Sequence, residues 1–201
     1  VSYNSKGEYS ATIRINYSIP KGEMVNVTGW RMKSNRGEIF LPQAVNVYEI
    51  YAANKEGDII LSGTGYISIY KGKSPISNNL RLNKCTGYLQ KNYNFNPSLP
   101  LSCPRVERNE IVGLSGQCQS YILSLGSCAL PDVNFYNSLP GTDQGNQCRA
   151  FLSGITPNSC FQKHQNDADF LSNEWRVWMD FSDNVFDKQH DRILIFDKNG
   201  L

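Results

Sequence analysis

The stretch DIILSGTGYISIYKG, residues 58–72, decides the fold class because it joins two apolar runs through a Gly-Thr-Gly turn signal. We predict two β-strands on either side of a hairpin turn at residues 63–65. A second segment, YSATIRINY (9–17), alternates its isoleucines with Arg14 and Asn16, as a half-buried strand does. Turn signals recur about every ten residues up to Cys85, which is typical of a β-sandwich.

After Cys85 the period of two gives way to a helical period. Residues with helical spacing are Cys118, Tyr121, Ile122 and Leu125, and then Cys148, Phe151 and Leu152. We predict a helix around each set, a long turn region over 129–146, and a third helix within PNSCFQKHQNDADFLSNEW (157–175).

Strand-like sequence returns in EWRVWMDF (174–181) and RILIFDKNGL (192–201). The predicted fold class is therefore mainly β, with one discontinuous sandwich over 1–85 plus 174–201 and an α-helical insertion over 86–173. The final Asn-Gly favours a type I′ hairpin turn. Because such a turn needs a return strand, we expect the last strand of the sandwich to lie outside these 201 residues.

Composition excludes several classes of protein. Hydrophobic residues make up 40% of the chain, which is typical of a folded globular protein. The formal net charge of +2 offers no electrostatic basis for binding nucleic acid or an anionic membrane surface. There is no run of about 18 apolar residues, so we expect no membrane span, and VSYNSKGEYS at the start has no signal-peptide core.

The six cysteines indicate disulfides. None forms a C-x-x-C pair, the spacing usual in zinc sites and thioredoxin-type redox centres. A zinc site built from Cys118, Cys128, Cys148 and Cys160 is the alternative. An even number of widely spaced cysteines favours three disulfides and an extracellular or cell-surface location.

The pairing follows from treating the two helical segments as an antiparallel hairpin. That arrangement predicts Cys118–Cys160 and Cys128–Cys148, and leaves Cys85–Cys103 as the third bond. The competing connectivity is Cys118–Cys128 with Cys148–Cys160. A helix from Cys118 would carry Cys128 about 15 Å away, too far for a disulfide unless the chain turns back at Gly126. Sequence alone does not choose between the two.

Four segments carry a resemblance to a known family: VNVTGWRMKS (25–34), GTGYISIYKGKSPI (63–76), LRLNKCTGYL (80–89) and HDRILIFDKNGL (190–201). Their order and spacing resemble bacterial secreted proteins with a lamin-tail domain, and a subset of these is similar through a Cys-rich helical insertion as well. The resemblance implies an immunoglobulin-like β-sandwich with an adhesive, anchoring or assembly role. It implies no catalytic residues.

Two groups of residues are candidates for chemistry. His164 follows Cys160 by four residues and precedes Asp167 by three, but a Cys/His/Asp nucleophilic set needs a free thiol. If Cys160 is bonded, His164 is a surface or capping histidine. The acidic loop 180–191 is a candidate Ca²⁺ site, although a solvated turn is the simpler interpretation. Its oxygen ligands would be Asp180, Asp183, Asp187 and Asp191.

The two tryptophans of 174–181 fall on opposite faces of a strand. We expect Trp175 in the core, and Trp178 either exposed, where it could bind a glycan, or covered by the insertion.

The sequence thus predicts a non-catalytic structural or interaction module without a cofactor, whose partner is an unknown protein or cell-envelope component. The alternatives are a glycan-binding or Ca²⁺-dependent adhesion module and, less favoured, a hydrolase with a site at the junction of insertion and sandwich, centred on His164 and Asp167.

Overall fold

The structure, a computed structural model, describes residues 2–3, 9–10, 12–181, 185–186 and 192–200. The chain divides into two compact units. We call Val1–Tyr48, Ala53–Asn83 and Leu171–Leu201 the sheet unit, and Glu49–Ala52 with Lys84–Phe170 the helical unit. The sequence-based boundaries follow residues 85 and 173, whereas the observed ones follow Asn83 and Phe170.

The described part of the sheet unit contains the strands β1 Ser2–Tyr3, β2 Tyr9–Ser10, β3 Thr12–Ser18, β4 Val25–Asn26, β5 Arg31–Lys33, β6 Glu38–Phe40, β7 Ile60–Leu61, β8 Thr64–Lys71, β9 Leu80–Asn83, β10 Leu171–Met179 and β11 Leu194–Phe196. They form a four-stranded sheet in the order β3-β8-β10-β9, a three-stranded sheet β11-β5-β6 and the pairs β4-β7 and β1-β2. All pairings are antiparallel except β8 with β10. The prediction of a mainly-β fold is confirmed.

The core of the sheet unit follows the period-two pattern of its strands. Ile67 and Ile69 of β8 are fully buried beside Trp175 and Val177 of β10. Met32 of β5 belongs to the same cluster, so two sheets contribute to one core. Each such side chain stabilises the fold by about 1.5–3 kcal/mol when it leaves water. Trp175 is 1% exposed, as predicted.

The predicted hairpin around residues 63–65 is wrong. Strand β7 pairs with β4, whereas β8 pairs with β3 and β10, so the two strands belong to different sheets. Gly63 has φ +61°, a conformation that favours glycine, and its carbonyl accepts a hydrogen bond from the Ile19 amide at 2.8 Å. The turn therefore transfers the chain from one sheet to another.

The helical unit contains all of the described α-helices: α1 Leu89–Asn92, α2 Gly116–Ser124, α3 Val133–Ser138, α4 Asp143–Ser153 and α5 Pro157–His164, with 3-10 turns at Thr86–Tyr88 and Arg108–Ile111. Ile111, Cys118, Ile122, Leu139, Cys148 and Leu152 form its buried cluster. Among the described residues, no helix combines the length and apolar character needed to cross a bilayer.

Two helix predictions fail for tertiary reasons. Helix α3 lies in the predicted turn region; Asp132 caps its first amides, and Phe135 stacks on Tyr121 with ring centroids 3.5 Å apart. The predicted third helix ends at His164, and the chain is extended from Leu171 because β10 pairs with β8 and β9. Helical spacing in 165–175 is thus overridden by sheet pairing.

The predicted disulfide pairing, Cys85–Cys103, Cys118–Cys160 and Cys128–Cys148, is also wrong. The bonds join Cys85 to Cys160, Cys103 to Cys128 and Cys118 to Cys148, with Cα atoms 6.0, 5.0 and 5.9 Å apart. No cysteine is free. The alternative zinc site therefore has no thiolate ligands to use.

The pairing predicted from an antiparallel helical hairpin fails because only one disulfide joins cysteines on two different α-helices of the helical unit. Cys118 on α2 meets Cys148 on α4. Cys128 follows the end of α2 with φ +57°, and its chain turns back to Cys103, whose carbonyl accepts a hydrogen bond from the Ser127 hydroxyl at 2.6 Å. Cys160 lies on the separate helix α5 and reaches Cys85. Three disulfides are typical of extracellular proteins.

Candidate functional site

A cleft of about 350 Å³ opens in the helical unit. Its walls come from the segment 104–110, the end of α4 and one face of α5, and they include Tyr88, Arg105, Val106, Phe151, Ile155 and His164. A smaller cleft of about 160 Å³ shares Tyr88, Pro104, Arg105, Val106 and Ile155 with it. The larger cleft has the concave form and the size that are common in binding sites for small molecules.

Local sequence explains why α5 lines the cleft. The α5-side lining residues Thr156, Ser159, Cys160, Lys163 and His164 follow the i, i+3, i+4, i+7, i+8 spacing of one helix face. Thr156 begins the helix through a capping box with Ser159, and Pro157 occupies the first turn. This spacing was visible in the sequence, and it groups Lys163 with His164.

The rim of the cleft carries an ion pair. The Lys163 ammonium contacts the Glu110 carboxylate. This contact, together with a hydrogen bond from the Glu107 amide, lowers the pKa of Glu110. Lys163 is 57% exposed, so the pair contributes little to stability, about 0–1 kcal/mol. In the cleft, this ion pair neutralises the positive charge of Lys163.

His164 and Asp167, the two residues at the centre of the hydrolase alternative, lie in contact. Asp167 Oδ2 lies 2.9 Å from His164 Nδ1 and 2.8 Å from Lys84 Nζ, and Lys84 Nζ lies 2.5 Å from Asp169 Oδ1. The hydrogen bond from Lys84, and secondarily that from His164, lowers the pKa of Asp167. Since a carboxylate only accepts hydrogen bonds, Nδ1 carries a proton, and Nε2 is the ring nitrogen left for other contacts.

The cysteine that this pair would activate is not free. Cys160 is bonded to Cys85. The Ser159 hydroxyl is engaged by the Thr156 amide at 3.0 Å and by the Gly154 carbonyl, so it serves the helix cap. The arrangement can orient an imidazole toward a bound molecule, but the described part of the cleft holds no free thiol for covalent catalysis.

Tyr88 is the residue of the site that sequence reasoning missed. It ends the 3-10 turn after Cys85, is only 6% exposed and lines both clefts. Its phenol oxygen has no hydrogen-bond partner among the described residues, and burial raises the pKa of its hydroxyl. The oxygen is not among the fully buried unpaired atoms of the described residues, so water or a ligand in the clefts can reach it. No periodicity in LNKCTGYL marks this position.

The predicted Ca²⁺ ligands cannot be placed together. Asp180 is described, but Asp183, Asp187 and Asp191 lie outside the described residues, as does His190. Within the residues that are described, no group of three or more His, Cys, Asp or Glu side chains could hold a metal ion. Trp178, which could bind a glycan only if it were exposed, is 9% exposed and packs near Tyr70 with ring centroids 5.4 Å apart.

Strand β10 also carries a buried polar cluster. Glu174 and Arg176 form an ion pair at 2.5 Å, with both side chains 10% exposed. The Tyr66 hydroxyl donates to Glu174, and Arg176 donates to the Tyr70 hydroxyl. Removing one partner of such a pair leaves a buried charge and costs about 3–5 kcal/mol. The two atoms of this contact, Glu174 Oε1 and Arg176 Nε, are buried and make no aligned hydrogen bond among the described residues, so the charges are compensated by proximity and by the two tyrosine hydroxyls.

Comparison of the chain with models of protein families, with curated proteins and with solved structures finds no match.

Proposed function

We propose that this chain is a non-catalytic structural or interaction module of a cell-surface or secreted protein. The observation that carries the proposal is the fate of the cysteines. Every thiol is used in a disulfide of the helical unit, and Cys160, the candidate nucleophile beside His164, is among them. Disulfides at this density favour an oxidising compartment. A disulfide-linked unit whose His164–Asp167 pair has no free thiol beside it favours binding over thiol-based turnover.

We further propose that the sheet unit is an immunoglobulin-like sandwich of the lamin-tail kind. The support is the single core to which Met32 and Ile39 of the three-stranded sheet and Ile67 and Trp175 of the four-stranded sheet contribute. Immunoglobulin-like sandwiches bury the inner faces of two sheets against each other in this way. A crystal structure in which these two sheets do not face one another would contradict this part of the proposal.

The test of the non-catalytic role is a hydrolysis screen of purified protein on ester, glycoside and peptide substrates. We expect no rate above the protein-free background for wild type or for His164→Ala. A rate that is present in wild type and absent from His164→Ala would overturn the proposal and favour the hydrolase alternative. Thiol counting on the denatured, unreduced chain is expected to find none, and any free thiol would undermine the argument from the cysteines.

The second candidate is a ligand-binding module, which the open cleft beside Arg105 and Tyr88 favours. The Ca²⁺-dependent form of this candidate depends on the 180–191 loop. It predicts a Ca²⁺-induced rise in melting temperature that Asp183→Ala abolishes. An unchanged melting temperature in millimolar Ca²⁺ would dismiss the calcium form and leave the cleft as the site.

A further inference from the structure

The two clefts described above differ in the polarity of their linings. The larger one is rimmed by Glu110, Lys163 and His164. The smaller one is lined by apolar residues of α2 and the chain after it: Ile122, Leu123, Leu125 and Ala129. Because Tyr88, Arg105 and three neighbours belong to both walls, one molecule can place a polar end in the larger cleft and an apolar end in the smaller.

The charges around the clefts leave one cation uncompensated. Lys163 is paired with Glu110, and Lys84 is held between Asp167 and Asp169. Arg105 has no acidic partner among the described residues, and it lies on the wall that both clefts share. A guanidinium recognises carboxylates through two parallel hydrogen bonds. The shared wall is therefore suited to one anionic group.

Tyr88 supplies an independent observation at the same wall. Its side chain is more than nine-tenths buried, and its hydroxyl has no partner in the part of the chain that the structure describes. Because burial raises the pKa of this phenol, the hydroxyl keeps its proton at neutral pH and is a hydrogen-bond donor. A carboxylate held by Arg105 offers the acceptor oxygen that Tyr88 lacks.

We propose that the two clefts form one binding site for a small organic carboxylate with an apolar body of about six carbon atoms. The carboxylate lies between Arg105 and Tyr88, and the apolar body fills the smaller cleft. Its volume of about 160 Å³ matches cavities of about 150 Å³ that accept a six-carbon hydrocarbon. The inference rests on the proposed non-catalytic role, because it assigns the cleft to binding.

Two kinds of molecule carry a carboxylate on a small apolar body: a free short-chain fatty acid and the C-terminal residue of a peptide. The experiment titrates the whole chain with acetate, butyrate and hexanoate, with N-acetyl-leucine, and with the neutral analogues hexan-1-ol and N-acetyl-leucine amide, followed by NMR chemical shifts. We expect affinity to rise by about fourfold per CH₂ from butyrate to hexanoate. We expect each neutral analogue to bind at least tenfold more weakly than its acid.

The two acids distinguish the sources. Tighter binding of hexanoate assigns the site to fatty acids, and tighter binding of N-acetyl-leucine assigns it to peptide C-termini. Equal binding of an acid and its neutral analogue would overturn the proposal. The absence of binding by every acid at a concentration of about 20 mM, 20-fold above a dissociation constant of about 1 mM, would overturn it as well. Neither result touches the non-catalytic role, which is tested by the hydrolysis screen.

Variants locate the site. Arg105→Gln should weaken hexanoate at least tenfold and leave hexan-1-ol unchanged, and Tyr88→Phe should weaken hexanoate severalfold with the helical circular dichroism retained. The matched control is Arg108→Gln, since Arg108 is an exposed arginine of the same segment that lines neither cleft. Equal loss in Arg108→Gln, or no loss in Arg105→Gln, would refute the assignment.

Discussion

Removing the Cys118–Cys148 bond is the most direct test of how the helical unit is held together. We consider the double variant Cys118→Ala/Cys148→Ala. Both residues are fully buried, and their bond joins α2 to α4 inside the cluster that contains Ile122 and Leu152. The double variant removes the covalent link and leaves two small apolar side chains in place of the sulfurs.

The expected loss follows from loop entropy. The bond spans 30 residues, for which the chain-entropy relation predicts about 3.6 kcal/mol of stability at 25 °C. For a unit of this size, each kcal/mol corresponds to about 4–8 °C in melting temperature, so the midpoint should fall by roughly 15–30 °C. With an m-value of about 1.5 kcal/mol/M, the urea midpoint should fall by about 2.4 M.

Two signals separate the units in this assay. Trp30, Trp175 and Trp178 all belong to the sheet unit, whereas every described α-helix belongs to the helical unit. Ellipticity at 222 nm should therefore report the loss in the helical unit, while tryptophan fluorescence follows the sheet unit. Urea and thermal unfolding recorded with both probes provide the measurement.

The control is Cys118→Ala/Cys160→Ala, the pair predicted from the sequence. This variant should expose two thiols, those of Cys85 and Cys148, after denaturation without reductant, whereas Cys118→Ala/Cys148→Ala should expose none. Thiols in the latter variant, or a loss below about 1 kcal/mol, would refute the reasoning.

Two further predictions concern packing and pH. Gly65→Ala should destabilise the sheet unit by about 3 kcal/mol, because a Cβ there would lie 2.1 Å from the Asn173 carbonyl oxygen. Gly57→Ala, which has open space around its Cβ, is the control and should change the stability in urea by less than about 0.5 kcal/mol. Equal effects of the two substitutions would contradict this reasoning. Lys84 holds the folded pKa of Asp167 below its usual value, so this stabilisation is complete above about pH 4 and is lost as pH falls through the lower folded value. Asp167→Asn should flatten the acid limb of the 222 nm stability profile, and an unchanged limb would count against this role.

Local patterns in the sequence were sufficient for β3, β8, most of β10 and the helices α2, α4 and α5. The alternation in TIRINYS and in β10, and the helical spacing around Cys118 and Cys148, depend only on residues two to four positions apart. The absence of C-x-x-C pairs was likewise enough to predict disulfides, which the structure contains. These features are set by neighbours along the chain, so the sequence by itself determined them.

The cysteine partners, the sheet change at Gly63, helix α3 and the start of β10 at Leu171 were decided by tertiary structure. Each depends on which distant segments the fold brings together: a disulfide needs Cα atoms within about 7 Å, and a strand needs a partner edge. The cleft has the same origin. Tyr88, Arg105 and His164 are separated along the chain and carry no shared motif, and only the folding of α4 and α5 against the segment 104–110 makes them one wall.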